Sequence, residues 1–99
     1  NGNRLATRRM KVNVYCRNDD PYSQMLKNVL NMNNIPFENK EVTRDKAAFE
    51  EMYELSGQAG TPVLVINGRT YAGFDREMIK RVIEQEVKQE QQEHHDKTA

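Results

Sequence analysis

The chain has 99 residues, enough for one domain with a thin core. Lysine plus arginine and aspartate plus glutamate number 15 each, so the formal charge is zero, without the basic excess of a general nucleic-acid binder. No apolar stretch approaches the length of a membrane span, no signal-peptide pattern is present, and one cysteine excludes an internal disulfide framework. Together these features predict a reducing, cytoplasmic setting.

The ends differ from the middle. Arg4, Arg8 and Arg9 make residues 1–9 a flexible basic arm, and residues 89–99 read as a polar tail, which leaves 10–88 as the foldable unit. His94 and His95 in the tail are adjacent, so on a helix they diverge by about 100° and do not converge on one metal ion.

In chain order, "MKVNVYC" alternates Val12, Val14 and Cys16 on one face with Lys11, Asn13 and Tyr15 on the other, which predicts a strand. Asp20 and Pro21 are a favoured N-cap and first helical residue. The helix they open runs to about residue 34, with Tyr22, Met25, Leu26, Val29 and Leu30 on one face. Ile35 precedes Pro36 and so avoids helical backbone. "FENKEV" (37–42) predicts a short strand, and Thr43 is the expected cap of a helix over 44–56 that stops at Gly57. "PVLVI" (62–66) is an apolar run suited to a central strand covered on both faces. Asn67-Gly68 signals a two-residue hairpin turn into "RTYA" (69–72). Asp75 then caps a helix carrying Met78, Ile79, Val82, Ile83 and Val87. The order β-α-β-α-β-β-α predicts an α/β fold: a four-stranded mixed sheet flanked by helices, with a parallel first pair and a final antiparallel hairpin.

Three stretches in this order carry a resemblance. "VYCRNDDPYS", "SGQAGTPVLVING" and "YAGFDREMIKRVI" are similar to the strand, loop and C-P-Y-C of the glutaredoxin family, to its cis-proline hairpin, and to its glycine-aspartate turn into the last helix. The resemblance spans about residues 11–87 and implies a thioredoxin fold. It also exposes a departure. The two cysteine positions of the tetrapeptide hold Asp20 and Ser23, so neither the dithiol nor the monothiol reaction is available there. A carboxylate at the same helix start can instead accept the N–H of Tyr22 or Ser23 as an N-cap.

The positions that hold glutathione in the family are better kept. Arg17 stands at the usual lysine position, Tyr22 within the tetrapeptide, and Thr61 before the expected cis-Pro62, where its backbone can pair with an extended peptide. Gly73, Phe74 and Asp75 match the turn that receives the γ-glutamyl end. Residue by residue there are simpler roles: a solvated charge for Arg17, a packing aromatic for Tyr22, an N-cap for Asp75. Cys16, at the end of a strand and facing inward with Val12 and Val14, reads as a small core residue. The resemblance therefore implies a module without redox cysteines and without a required cofactor. It would bind a thiol compound, a peptide or a partner protein at the cis-proline groove, and glutathione weakly because of the Asp20 charge. Two alternatives stand beside it: residual glutathione-dependent oxidoreductase chemistry through Cys16, and an interaction domain that uses other surfaces.

Overall fold

A computed structural model describes residues 10–98, with side chains described over 10–88. The basic arm (1–9) and the side chains of His94 and His95 lie outside the described residues. The elements are β1 (Val12–Cys16), α1 (Pro21–Met32), β2 (Glu38–Glu41), α2 (Lys46–Ser56), β3 (Val63–Ile66), β4 (Arg69–Ala72) and α3 (Arg76–Thr98). The sheet order is β2-β1-β3-β4. β1 pairs parallel with β2 and antiparallel with β3, and β3 pairs antiparallel with β4. This is the four-stranded mixed sheet expected of a thioredoxin-like fold. The backbone of α3 continues to Thr98, through the residues read above as a tail. No described helix is long and apolar enough to cross a membrane.

Alternation along β1 divides the core in two. Val12, Val14 and Cys16 join Leu26, Leu30 and Ile35 from α1 and its exit, Leu64 and Ile66 from β3, and Ile79, Val82 and Ile83 from α3. On the other face Tyr15 packs with Val42, Ala48, Met52, Val63 and Val65, beneath α2. All four residues of β3 are buried, so this strand serves both layers, as its unbroken apolar run requires. Tyr15 is 1% exposed, yet its hydroxyl donates to Glu51 of α2 at the edge of this layer. Burial and the Glu51 carboxylate push the Tyr15 pKa well up, which keeps the phenol protonated as a donor. Lys40 closes the cluster, with its Nζ 3.0 Å from Glu51 Oε1 and 5.6 Å from the Tyr15 ring centroid.

Local chemistry sets the helix ends. The C-cap of α1 is Asn33, and Asn34 follows in the left-handed region at φ 57°. The start of α2 departs from expectation: its cap is Asp45, whose Oδ1 accepts the N–H of Ala48 at 3.1 Å, and not Thr43. Thr43 is drawn into the preceding turn, where its N–H and hydroxyl both donate to the Glu41 carboxylate. A short polar side chain with a nearer partner is lost to the helix as a cap. Gly57 ends α2 at φ 74°, a left-handed conformation that glycine adopts without a Cβ penalty.

The hairpin turn ties distant parts of the chain together. Asn67 and Gly68 both have positive φ, 51° and 84°, as a two-residue turn of the primed type needs. Asn67 also exchanges hydrogen bonds with the Lys11 backbone: its N–H donates to the Lys11 carbonyl at 2.9 Å, and its Oδ1 accepts the Lys11 N–H at 3.0 Å. Its Nδ2 donates to Glu86 Oε1 at 2.9 Å, while Arg69 Nη1 donates to Glu86 Oε2 at 2.8 Å. Glu86 is thus a buried acid, 3% exposed, satisfied on both oxygens by the hairpin.

Candidate functional site

The stretch 17–23 forms a tight turn into α1. The Asp20 N–H donates to the Arg17 carbonyl at 3.1 Å, which closes the turn and sets Asp20 in extended backbone as the N-cap. From there its carboxylate makes three contacts. Oδ1 accepts the Tyr22 N–H at 3.0 Å, the capping bond read from the sequence. Oδ2 accepts the Ser23 hydroxyl at 3.0 Å and the Thr61 hydroxyl at 2.7 Å. Ser23 is fully buried, and its Oγ in turn accepts the Arg17 N–H at 3.3 Å. The two positions where a redox pair would stand therefore form a polar chain running from Arg17 through Ser23 and Asp20 to Thr61.

Burial pushes the Asp20 pKa up, but the hydrogen bonds from Thr61, Tyr22 and Ser23 outweigh it and hold the carboxyl below its ordinary value. A group whose folded pKa is depressed contributes stability above its unfolded pKa, near 4, and loses it as pH falls through the folded value. Asp20→Ala is accordingly expected to lower stability by about 0.5–2 kcal/mol at neutral pH. The difference from the parent should shrink in denaturant melts run progressively below pH ~4. An unchanged neutral-pH midpoint would contradict the capping role.

The remaining predicted residues surround this chain to different degrees. Arg17 Nη2 donates to the Ala59 carbonyl at 3.3 Å, bridging the turn before α1 and the loop that follows α2. The Thr61–Pro62 peptide bond is cis, and Pro62 is buried at the head of β3. Gly73, at φ 81°, donates its N–H to the Pro62 carbonyl at 2.8 Å, so one backbone donor of the 73–75 turn is already engaged within the fold. Phe74 lies against Tyr22, ring centroids 6.4 Å apart, and Tyr22 is 57% exposed. Asp75 directs its Oδ1 along α3 to the N–H groups of Glu77 and Met78 at 3.1 and 3.4 Å. Contacts thus link Arg17, Asp20, Tyr22, Ser23, Thr61 and Phe74, while Asp75 flanks them as a helix cap. The Thr61 hydroxyl was not foreseen as a site group. It lies 41 residues from Asp20, and no spacing rule in the sequence signals such a pair.

Cys16 belongs to a different environment. It is fully buried, and its thiol lies 3.0 Å from Asn39 Oδ1, with Lys27 Nζ 3.8 Å from the sulfur. Burial raises its pKa, Glu41 and Asp20 add to the rise, and Lys27 only partly opposes it. A thiol in this state is a poor nucleophile. Among the described residues no group of three or more His, Cys, Asp or Glu could hold a metal ion.

Comparison with known proteins agrees with this geometry. The sequence model of the family described as Glutaredoxin matches residues 12–71. An uncharacterized glutaredoxin-like 8.6 kDa protein in a rubredoxin operon of Clostridium pasteurianum is 34% identical over 73 residues, covering 74% of this chain and 97% of that protein. Among solved structures, the thioredoxin-like protein BC3987 aligns with a TM-score of 0.68 at 32% identity, over 72% of this chain and 97% of that one. The glutaredoxin-like NrdH-redoxin from Escherichia coli, described as having a thioredoxin-like activity profile, aligns with a TM-score of 0.62 at 27% identity, over 72% and 92%. A buckwheat glutaredoxin in complex with glutathione shares the fold, with a TM-score of 0.64 at 15% identity, over 93% of this chain and 92% of that one. Sequence, fold and local geometry converge: this chain belongs to the glutaredoxin family.

Proposed function

We propose that this protein is a non-catalytic binding module. The groove beside Asp20, bordered by Tyr22, Thr61, Pro62 and Phe74, holds a thiol compound, an extended peptide or a segment of a partner protein. The observation that carries the reading is the Asp20 carboxylate, which fills the nucleophile's position and engages Tyr22, Ser23 and Thr61. A carboxylate has no sulfur with which to form a mixed disulfide, and a serine hydroxyl cannot resolve one. The helix start that would steady a thiolate steadies this carboxylate instead.

Recognition rests on what surrounds that charge. The Thr61 backbone offers an N–H and a C=O to an extended chain. The Tyr22 ring gives the groove an exposed apolar wall, and Arg17 places a cation at its edge. Gly73, Phe74 and Asp75 border the far side, where the γ-glutamyl end of glutathione would lie. Glutathione is a weak ligand in this reading, because its sulfur would approach the Asp20 carboxylate: a neutral thiol tolerates that neighbour, a thiolate is repelled. No resident cofactor is needed.

Two measurements test this. Glutathione titrated into isotope-labelled protein should shift the amide signals of Arg17, Tyr22, Thr61 and Asp75 with affinity on the order of millimolar. A spectrum unmoved at such concentrations would remove the groove as a glutathione site. In a glutathione-dependent assay on a small mixed disulfide, the parent and Cys16→Ser should both run at the uncatalysed rate. Turnover that disappears in Cys16→Ser would establish the thiol as the working group and overturn the proposal.

A further inference from the structure

The outer face of α2 carries exposed apolar side chains beside acids. Tyr53 is 53% exposed and Leu55 46%, and both stand in the last turn of the helix. Phe49, one turn earlier, packs against Tyr53 with ring centroids 6.4 Å apart, and the two rings line a shallow cleft of about 420 Å³ with Glu50 and Glu54 on its rim. A second depression of about 310 Å³ adjoins it, lined by Ala47, Glu50, Glu51, Glu54 and Leu55.

The charges are arranged against the helix. Glu50 and Glu54 are four residues apart, a destabilising like-charge spacing. Glu54 lies in the last turn, where the helix dipole favours a cation, and that turn holds no basic residue. Glu51 is ion-paired with Lys40, but among the described residues neither Glu50 nor Glu54 forms an ion pair. The exposed Tyr53 and Leu55, beside acids without an ion partner, make this face complementary to a segment that is both apolar and cationic.

We propose that this face of α2 is a docking surface for a segment of a partner protein in which lysine or arginine alternates with apolar side chains. The Tyr53 and Phe49 rings offer a surface to the stem and head of a long cationic side chain, and Glu50 and Glu54 flank the cleft where its charge would lie. Leu55 and the second depression take a neighbouring apolar residue. The surface stands apart from the Asp20 groove and does not depend on the reading given to it. The two are nonetheless continuous along the chain, since the last turn of α2 leads through residues 57–60 to Thr61, and Ala59 in that loop accepts the Arg17 hydrogen bond.

The test uses the full chain and a synthetic peptide of about twelve residues in which arginine and leucine alternate, alongside a counterpart with glutamate in place of arginine. The basic peptide should shift amide signals across residues 49–55, with binding weakened at least about threefold when salt rises from about 50 to about 300 mM. Tyr53→Ser should weaken it roughly fivefold, and the paired change Glu50→Lys with Glu54→Lys should abolish it. These positions are exposed, and unchanged circular dichroism would show that the fold is kept. Absence of shifts at millimolar basic peptide, or equal binding of the acidic counterpart, would overturn the proposal. So would sedimentation showing a dimer of this chain that Glu54→Lys dissociates, because the occupant would then be a second copy.

Discussion

A variant carrying Asp20→Cys together with Ser23→Cys is expected to reduce a small mixed disulfide with glutathione at least about 10²-fold faster than the parent protein. The reason lies in what the parent keeps. The Tyr22 N–H and the Thr61 hydroxyl already converge on a negative charge at the start of α1. A thiolate placed there meets the same donors and the same end of the helix dipole, so its pKa should fall below the ordinary cysteine value of about 8.5. The second cysteine supplies the thiol that Ser23 lacks for resolving a mixed disulfide. Thiolate absorbance followed against pH gives a readout independent of turnover. A folded double variant whose new thiol titrates at or above the ordinary value would show that this helix start does not stabilise a thiolate.

The second large effect concerns stability. Arg69→Ala is expected to cost about 3 kcal/mol, because it strands a buried carboxylate. The two partners of this ion pair are unequal: the Arg69 side chain is 55% exposed, whereas that of Glu86 is 4% exposed. Removing the arginine leaves Glu86 with the single hydrogen bond from Asn67, and its other oxygen loses its protein partner. For a domain of this size the melting temperature should fall by about 12–24 °C. Replacing both partners, Arg69→Met with Glu86→Leu, should recover most of the loss, since no charge then remains to be desolvated. A drop below roughly 0.5 kcal/mol for Arg69→Ala would show that the Glu86 carboxylate is solvated once the arginine is gone.

These two sites also mark where reading the sequence stops. Features set by neighbours along the chain were legible. The alternation of Val12, Val14 and Cys16 correctly placed the thiol in the core, the Asn67-Gly68 pair fixed the hairpin, and Asp20 caps α1 as its residue type suggests. Thr43 and Asp45 are both good capping residues two positions apart, and only the competing Glu41 carboxylate decides between them. Glu86 was hidden by composition. It lies inside the foldable unit and continues the stripe of Ile79, Val82 and Ile83 at helical spacing, but an acid among neighbouring Glu, Gln and Lys reads as a solvent-facing residue. The signal was present, and the residue type overrode it. The Asp20–Thr61 bond had no local signal at all, because tertiary folding alone brings the two side chains together.

The burial of Cys16 makes this thiol a clock for the molecule's own breathing. It is the chain's one sulfhydryl and is fully enclosed, so an alkylating reagent can reach it only when the layer between β1 and α1 opens. When reclosing outpaces alkylation, the labelling rate reads out the free energy of that opening under native conditions, with no denaturant. The protein thereby carries, in its interior, a built-in gauge of how often its core comes apart.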